Sequence, residues 1–400
     1  MTSRAEWESR VLAAIDRDEL VDVARAAVRV PTVNPPGDER ALADQLAARL
    51  RAGTIAVELL HHDPARASLV GRVRGRGERP GLILTGHLDV VGPGEQPWRH
   101  DPFGGEVVDG RLYGRGSADM KGALAAMVAA ALAIARTGAP IGGDLVLGFT
   151  AGEETDSFGA QALADAGLLD GADAVVIGEP TDLDVYIAEK GNLWLEITTS
   201  GRTAHASMPH LGRNAIYAMA DVLEALESYR FPDPPHPLLG SPTLSVGTIR
   251  GGVRTNVVPD ACAIEVDVRT LPGQSHERVA ADVQELLAEV RRRRPELDVR
   301  VRLAYGRGAV ATPPDAPIVR EVVGAVADVV GRAPEPRGVM YATDGAVLVP
   351  ALGIPMAICG PGPRELAHQT DEHVAVDALV AAARIYALVA LRHLGAGGAH

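Results

Sequence analysis

The chain has 400 residues, 46% of them hydrophobic, enough to bury sizeable cores in two or three domains. Its formal net charge of −13 argues against a nucleic-acid partner, which needs a basic face, but leaves anionic small substrates open because a few local arginines can serve them. Only Cys262 and Cys359 occur, which excludes a disulfide framework or zinc-finger spacing and reads as two buried, small apolar residues.

The first twenty residues, "MTSRAEWESRVLAAIDRDEL", carry charge throughout and show no signal-peptide core. The longest Ala-rich apolar run, 123–135, is shorter than the roughly 20 residues that a membrane span needs. The expectation is a soluble, cytoplasmic protein with no membrane partner.

Helical patterns occupy residues 6–28 and 38–51. Strand-like runs then lie near 82–85, 145–149 and 174–177, with helical patterns at 120–136 and 158–166 between them. That alternation predicts an α/β fold with a doubly wound, mostly parallel sheet. After "GEPT" at 178–181 the grammar changes to strand, helix (214–228), two strands, helix (275–294) and strand, the order of a ferredoxin-like α+β unit. From about residue 313 the earlier pattern returns and closes on a helix at 374–394. The simplest organisation is one domain formed by 1–183 and 309–400, interrupted by an inserted domain at 184–308.

Ligands of open α/β sheets bind beyond the carboxyl ends of the strands. Here "LILTGHLD" ends in His87 and Asp89, "LVLGFTAGEE" in Glu153 and Glu154, and "AVVIGEP" in Glu179. Between them, "YGRGSADMKG" sets Asp119 where a glycine-rich loop enters a helix. Any one of these acids reads as a helix cap or a loop acid. Five acids and a histidine converging on one sheet edge repel one another unless positive charge lies among them. Two divalent cations meet that need, and the mixed nitrogen and oxygen donors suit Zn²⁺, with Co²⁺ or Mn²⁺ as alternatives. A second histidine is required, and "ELAHQTDEHV" offers His368 and His373.

With these motifs the chain resembles the dinuclear-zinc aminoacylase/carboxypeptidase family of metallopeptidases, which includes acetylornithine deacetylase and succinyl-diaminopimelate desuccinylase. The resemblance runs in order over nearly the whole chain. It implies a zinc-peptidase-like catalytic domain with an inserted dimerisation domain, and a homodimer. It also implies that His87, Asp119, Glu154, Glu179 and His368 bind two metals, with Asp119 bridging them. Asp89 would orient His87, Glu153 would be the general base, and the Asp119–Met120 peptide would be cis. In the inserted segment "GRTAHASMPHLGRNAI", His205 would stabilise the oxyanion in a neighbouring subunit's site. "GGVRTNVVPD" and "VDVRT" point to Asn256 and Arg269 as substrate contacts, an ordinary ion pair being the other reading of Arg269, and a helix-entry cap that of His205. One departure is Ala123, where the family often has a second glycine after "DMKG".

Other classes fit less well. In "GRGSADMKGALA" the third glycine position of a dinucleotide fingerprint is Asp119, and no G-K-[ST] follows. The G-x-S-x-G of a serine hydrolase is absent. A non-catalytic binding protein on the same fold would lack the base or a ligand, and all are present. The expected activity is hydrolysis of the amide bond of small N-acyl amino acids. A dipeptidase or carboxypeptidase acting on dipeptide-like substrates with the same metals is the alternative.

Overall fold

The computed structural model describes residues 2–396. They form two compact units: Met1–Ile187 with Ala311–Arg337 and Thr343–His400, and Ala188–Val310 with Gly338–Ala342.

The first unit is built on a mixed sheet. From one edge the strands run Ala56–His61, Ala67–Val73, Leu145–Thr150, Gly81–His87, Ala172–Ile177, Met356–Ile358 and Tyr186–Glu189. The four from Leu145–Thr150 to Met356–Ile358 are parallel, and the flanking pairs are antiparallel. Every residue of Gly81–His87 and of Leu145–Thr150 is buried, which explains why they read as continuous apolar runs rather than alternating ones. The helix Lys121–Thr137 is apolar almost all round and buried from Lys121 to Ile134. It packs against the helices Arg17–Val28 and Val376–His393 and ends on Gly138, whose φ of +64° suits the left-handed cap that glycine adopts without strain.

Three local features depart from the sequence reading. The single helical pattern at 6–28 is two helices, Arg4–Ala13 and Arg17–Val28, because Asp16 caps the second by accepting from the Asp18 and Glu19 amides. The antiparallel pair Ala56–His61 and Ala67–Val73 was not expected: the edge strand Ala56–His61 buries none of its residues fully, and Ala67–Val73 buries five in succession, so neither carries a clear apolar alternation. Residues at the start of the expected final helix instead form the strand His373–Ala375, paired with Arg111–Tyr113, and the helix begins at Val376.

Register decides what the parallel strands deliver. His87 lies opposite Thr150, and Thr85 lies opposite Ile177, so the residues just beyond Thr150 and Ile177 emerge level with His87. Glu153, Glu154 and Glu179 follow within four residues of those strand ends.

The second unit is a four-stranded antiparallel sheet in the order Thr243–Gly251, Ala261–Thr270, Gly191–Ser200, Asp298–Arg307, with the helices Ala215–Ser228 and His276–Arg293. This is the expected split β-α-β arrangement. Leu193, Leu195 and Ile197 alternate inward along Gly191–Ser200 and meet Val222, Leu226, Val283 and Leu287 from the helices. Leu287 is fully packed there, so Leu287→Ala is expected to destabilise this unit by about 2–5 kcal/mol. Urea unfolding monitored by circular dichroism checks it, as a lowered midpoint with an unchanged slope.

Candidate metal centre

The site is assembled at the carboxyl edge of the parallel strands in the first unit: His87, Asp119, Glu153 and Glu179 are each less than 9% exposed, Glu154 is half-buried, and His368 lies at the exposed rim. Asp119 occupies the turn into the helix Lys121–Thr137, where the positive end of the helix dipole favours a carboxylate. The Asp119–Met120 peptide is cis.

The two oxygens of Asp119 face different imidazoles. Oδ1 lies 3.1 Å from His87 Nε2, and Oδ2 lies 3.4 Å from His368 Nε2. On one side of this carboxylate, His87 Nε2 is also 3.9 Å from Glu179 Oε1. On the other, His368 Nε2 is 3.2 Å from Glu154 Oε1 and 3.1 Å from its Oε2. Donor atoms of His87, Asp119 and Glu154 lie within 4.8 Å of one another, as do those of His87, Glu153 and Glu179. A carboxylate set between two histidine-and-glutamate groups is the arrangement of a bridging ligand. His373 is elsewhere: its Nδ1 donates to the Asp371 carbonyl at 2.9 Å and its ring stacks on Tyr113.

The electrostatics call for positive charge. Burial and the neighbouring Asp119 hold Glu179 well above the usual carboxylate range. Burial alone would lower the His87 imidazole, yet its hydrogen bond to Asp119 and the surrounding carboxylates hold it well above the ordinary histidine value. Hydrogen bonds to Asp119 and Glu154 raise His368 to about 10. Burial works against Asp119 ionising, but the two histidines keep its carboxyl below its usual range. Protons on these imidazoles stand in for cations. A backbone carbonyl only accepts, so His87 Nδ1, 2.8 Å from the Asp89 carbonyl, carries a proton. In the neutral ring Nε2 then presents its lone pair to the cluster, as a metal ligand must. The donor set fits a pair of divalent cations.

Asp89 contacts His87 through that carbonyl rather than through its carboxylate, whose Oδ1 is 3.6 Å from Nδ1. The carboxylate instead accepts from the Gly152 and Glu153 amides at Oδ1, and from the Glu154 amide at Oδ2, all at 3.1 Å. Asn34 Nδ2 adds a fourth bond to Oδ2 at 2.8 Å. Asp89 thus fixes the backbone that carries Glu153 and Glu154. Asn34 lies in "PTVNPPG" and drew no attention in the sequence; its contact crosses 55 residues and leaves no spacing signal. Arg115 and Glu372, described below, were missed for the same reason.

His205, Asn256 and Arg269 lie in the second unit. His205 is exposed, with Nδ1 2.7 Å from Ser207 Oγ. The Asn256 carbonyl accepts from the Ala206 amide at 3.1 Å, tying its loop to that of His205. Arg269 makes a two-pronged pair with Asp267, Nε to Oδ1 at 2.8 Å and Nη2 to Oδ2 at 3.1 Å, which is the ordinary ion pair of its alternative reading. Of the cysteines, Cys359 is fully buried and its thiol is pushed up to about 12 by burial, which excludes it as a nucleophile at neutral pH.

Replacing Asp89 by Ala leaves three amides without their acceptor, those of Gly152 and Glu153 buried and that of Glu154 half-buried. The expected cost is on the order of 3 kcal/mol or more. Hydrogen exchange should quicken selectively at the amides of Gly152, Glu153 and Glu154; unchanged exchange there contradicts the anchoring role.

Comparison with known proteins adds to this geometry. The family model described as Peptidase family M20/M25/M40 matches residues 83–392. A probable succinyl-diaminopimelate desuccinylase from Staphylococcus epidermidis is 31% identical over 350 residues, covering 80% of this chain and 85% of that protein. Acetylornithine deacetylase from Myxococcus xanthus is 34% identical over 354 residues, covering 85% of this chain and 88% of that protein. Among solved structures, the Bacillus subtilis YXEP protein, a dinuclear metal-binding peptidase of the M20 family, superposes with a TM-score of 0.72 at 16% identity, covering 95% of this chain and 99% of that one.

Proposed function

The chain belongs to peptidase family M20/M25/M40, a metal-dependent hydrolase of amide bonds, and from that premise we propose that it cleaves the acyl–nitrogen bond of small N-acyl amino acids. The observation that carries this reading is the Asp119 carboxylate set between His87 with Glu179 and His368 with Glu154. The choice of an acyl amino acid over a dipeptide is supported by the desuccinylase and deacetylase names of relatives above 30% identity. A peptidase acting on dipeptide-like substrates is the second reading, and it draws on the peptidase description of the YXEP fold.

In this proposal His87, Asp119, Glu154, Glu179 and His368 hold two Zn²⁺, with Co²⁺ or Mn²⁺ as substitutes. Bound there, the cations supply Lewis acidity toward the scissile carbonyl and acidify the attacking water. Glu153, buried among the same donors, takes the proton of that water and passes it to the leaving nitrogen, so that the amine departs neutral. Asp89 keeps Glu153 and Glu154 in place through their amides. Burial of His87, Asp119, Glu153 and Glu179 strengthens the electrostatic effects on that side of the cluster.

The second unit is proposed to complete the site from another copy of the chain, in a homodimer. Support comes from the edge strand Thr243–Gly251, with Ile249 exposed on it, and from exposed Tyr217 and Val253, which line one cavity with Gly251 at the strand's end. Open strand edges and exposed apolar side chains are surfaces that association covers. His205 would donate to the developing oxyanion and Asn256 would contact substrate. Arg269 would bind a substrate carboxylate only by sharing its guanidinium with Asp267. Both cysteines are free and buried, in keeping with a reducing, cytoplasmic setting, and no helix among the described residues is long and apolar enough to cross a membrane.

Chelation is expected to abolish hydrolysis, and Zn²⁺ or Co²⁺ to restore it. Glu153→Gln should lower kcat by about 10²–10⁴-fold while metal content, read by plasma emission, stays at the wild-type level. Rates on N-succinyl and N-acetyl amino acids against dipeptides decide between the two readings; faster cleavage of dipeptides selects the peptidase. Mixing inactive His205→Ala with inactive Glu153→Ala chains should regain activity once mixed dimers form, because one site in each then holds both native residues. Mixed dimers that stay inactive contradict the contribution in trans.

A further inference from the structure

Behind the cluster lies a buried ion pair with no assigned role. Arg115 Nη1 donates to Glu372 Oε2 at 2.5 Å, and both side chains are almost fully enclosed. Two buried charges are a weak source of stability, since an apolar pair of the same size commonly does as well. Directional bonds to specific atoms are what such a pair provides, and here those atoms belong to the site.

Glu372 Oε1 accepts from the Ala118 amide at 2.9 Å and from the Asp119 amide at 3.0 Å. Arg115 Nη2 donates to the His368 carbonyl at 3.2 Å and to the Gly92 carbonyl at 3.3 Å. The guanidinium is backed by the Trp98 ring, 5.3 Å from its centre. The Gly114 amide donates to the Glu372 carbonyl at 2.9 Å, so the two segments are joined by backbone as well. His368 has a φ of +63°, a conformation uncommon for a residue other than glycine, and its carbonyl is held by Arg115. The same pair therefore grips the backbone of Asp119 on one side and of His368 on the other. Nothing comparable in its bonds reaches His87 or Glu179.

We propose that Arg115 and Glu372 form a positioning pair that sets the placement of His368 against Asp119 and so completes one of the two cation positions, the one shared by Glu154 and His368. The inference rests on the dinuclear reading above. A lysine at 115 keeps the charge but not the fork that serves Glu372 and His368 together. A glutamine at 372 keeps the shape but offers only one acceptor oxygen and no charge.

Equilibrium dialysis of chelator-stripped, refilled protein against Zn²⁺ tests it. Wild-type chains are expected to bind two ions. Arg115→Lys, which loses the grip on the His368 carbonyl, should retain one ion at wild-type affinity and weaken the other by about 10–100-fold, the usual effect of disturbing the groups that hold metal ligands; Glu372→Gln, which also loosens the Asp119 amide, should weaken that same position more than its neighbour. Adding Arg115→Lys to His368→Ala should cost no further binding, whereas adding it to Glu179→Ala should weaken the binding that is left by the same factor. In steady-state kinetics kcat should fall with KM nearly unchanged, and raised Zn²⁺ should rescue it. Equal weakening of both ions, or none, overturns the proposal, because a merely structural pair has no reason to select one side. Should Glu372→Gln fail to fold by circular dichroism, Arg115→Lys carries the same test. Wild-type chains that bind fewer than two ions overturn the dinuclear reading and this inference together, whereas two ions at wild-type affinity in every variant removes the inference alone.

Discussion

Like charge brought together is the constraint on which this structure turns. The carboxylates of Asp119, Glu153, Glu154 and Glu179 meet two imidazoles at one edge of a buried sheet. Two unit charges 4 Å apart repel by about 4 kcal/mol at the effective dielectric of a protein surface region, and by more where water is excluded. Glu179 shows the consequence directly, since burial and Asp119 hold its carboxyl well above the ordinary range. The chain tolerates this because each acid is held by covalent or hydrogen-bonded neighbours that do not themselves need charge relief. Parallel strands bring His87 and the stems of the glutamate loops level, Asp89 fastens three successive amides, and the Lys121–Thr137 helix presents its positive end to Asp119. What remains is a preformed negative pocket whose stable filling is cationic.

The strand ends were legible in the sequence because their signal is local. A fully apolar run that stops in His-x-Asp, Glu-Glu or Glu-Pro states both the burial and the chemistry, and the register then does the rest. Of the two candidate histidines at the far end of the chain, residue types could not choose; only the resemblance favoured His368, and the geometry sets its ring against Asp119 and Glu154 while His373 faces Tyr113. The groups that hold the ligands were not legible. Arg115 and Glu372 bond backbone atoms 23 to 254 residues away, and a hydrogen bond to a carbonyl or an amide demands no particular residue type in its partner; Asn34 reaches the Asp89 carboxylate across 55 residues. For the same reason Asp89 was read as a partner of the neighbouring imidazole, although its carboxylate serves the amides of another loop.

The second unit shows how far patterning reaches. Its alternation specifies which faces of the strands turn inward, and Leu193, Leu195 and Ile197 do so. Alternation says nothing of polar partners on one face, where Asp267 and Arg269 stand two residues apart and pair with each other, with Trp194 Nε1 donating to Asp267 as well. A charged residue in a strand is therefore a weaker guide to substrate than a charged residue past the end of one. In the central sheet the strand interiors are apolar and the chemistry lies beyond them; in this unit the strand faces carry both.

The central claim is that one carboxylate, Asp119, stands between two cation positions. Anomalous diffraction at the zinc edge from crystals of the metal-loaded protein tests it most directly. The account predicts two peaks flanking the Asp119 carboxylate about 3.5–4 Å apart, one beside His87 and Glu179 and the other beside Glu154 and His368. A single peak, or peaks away from Asp119, contradicts it.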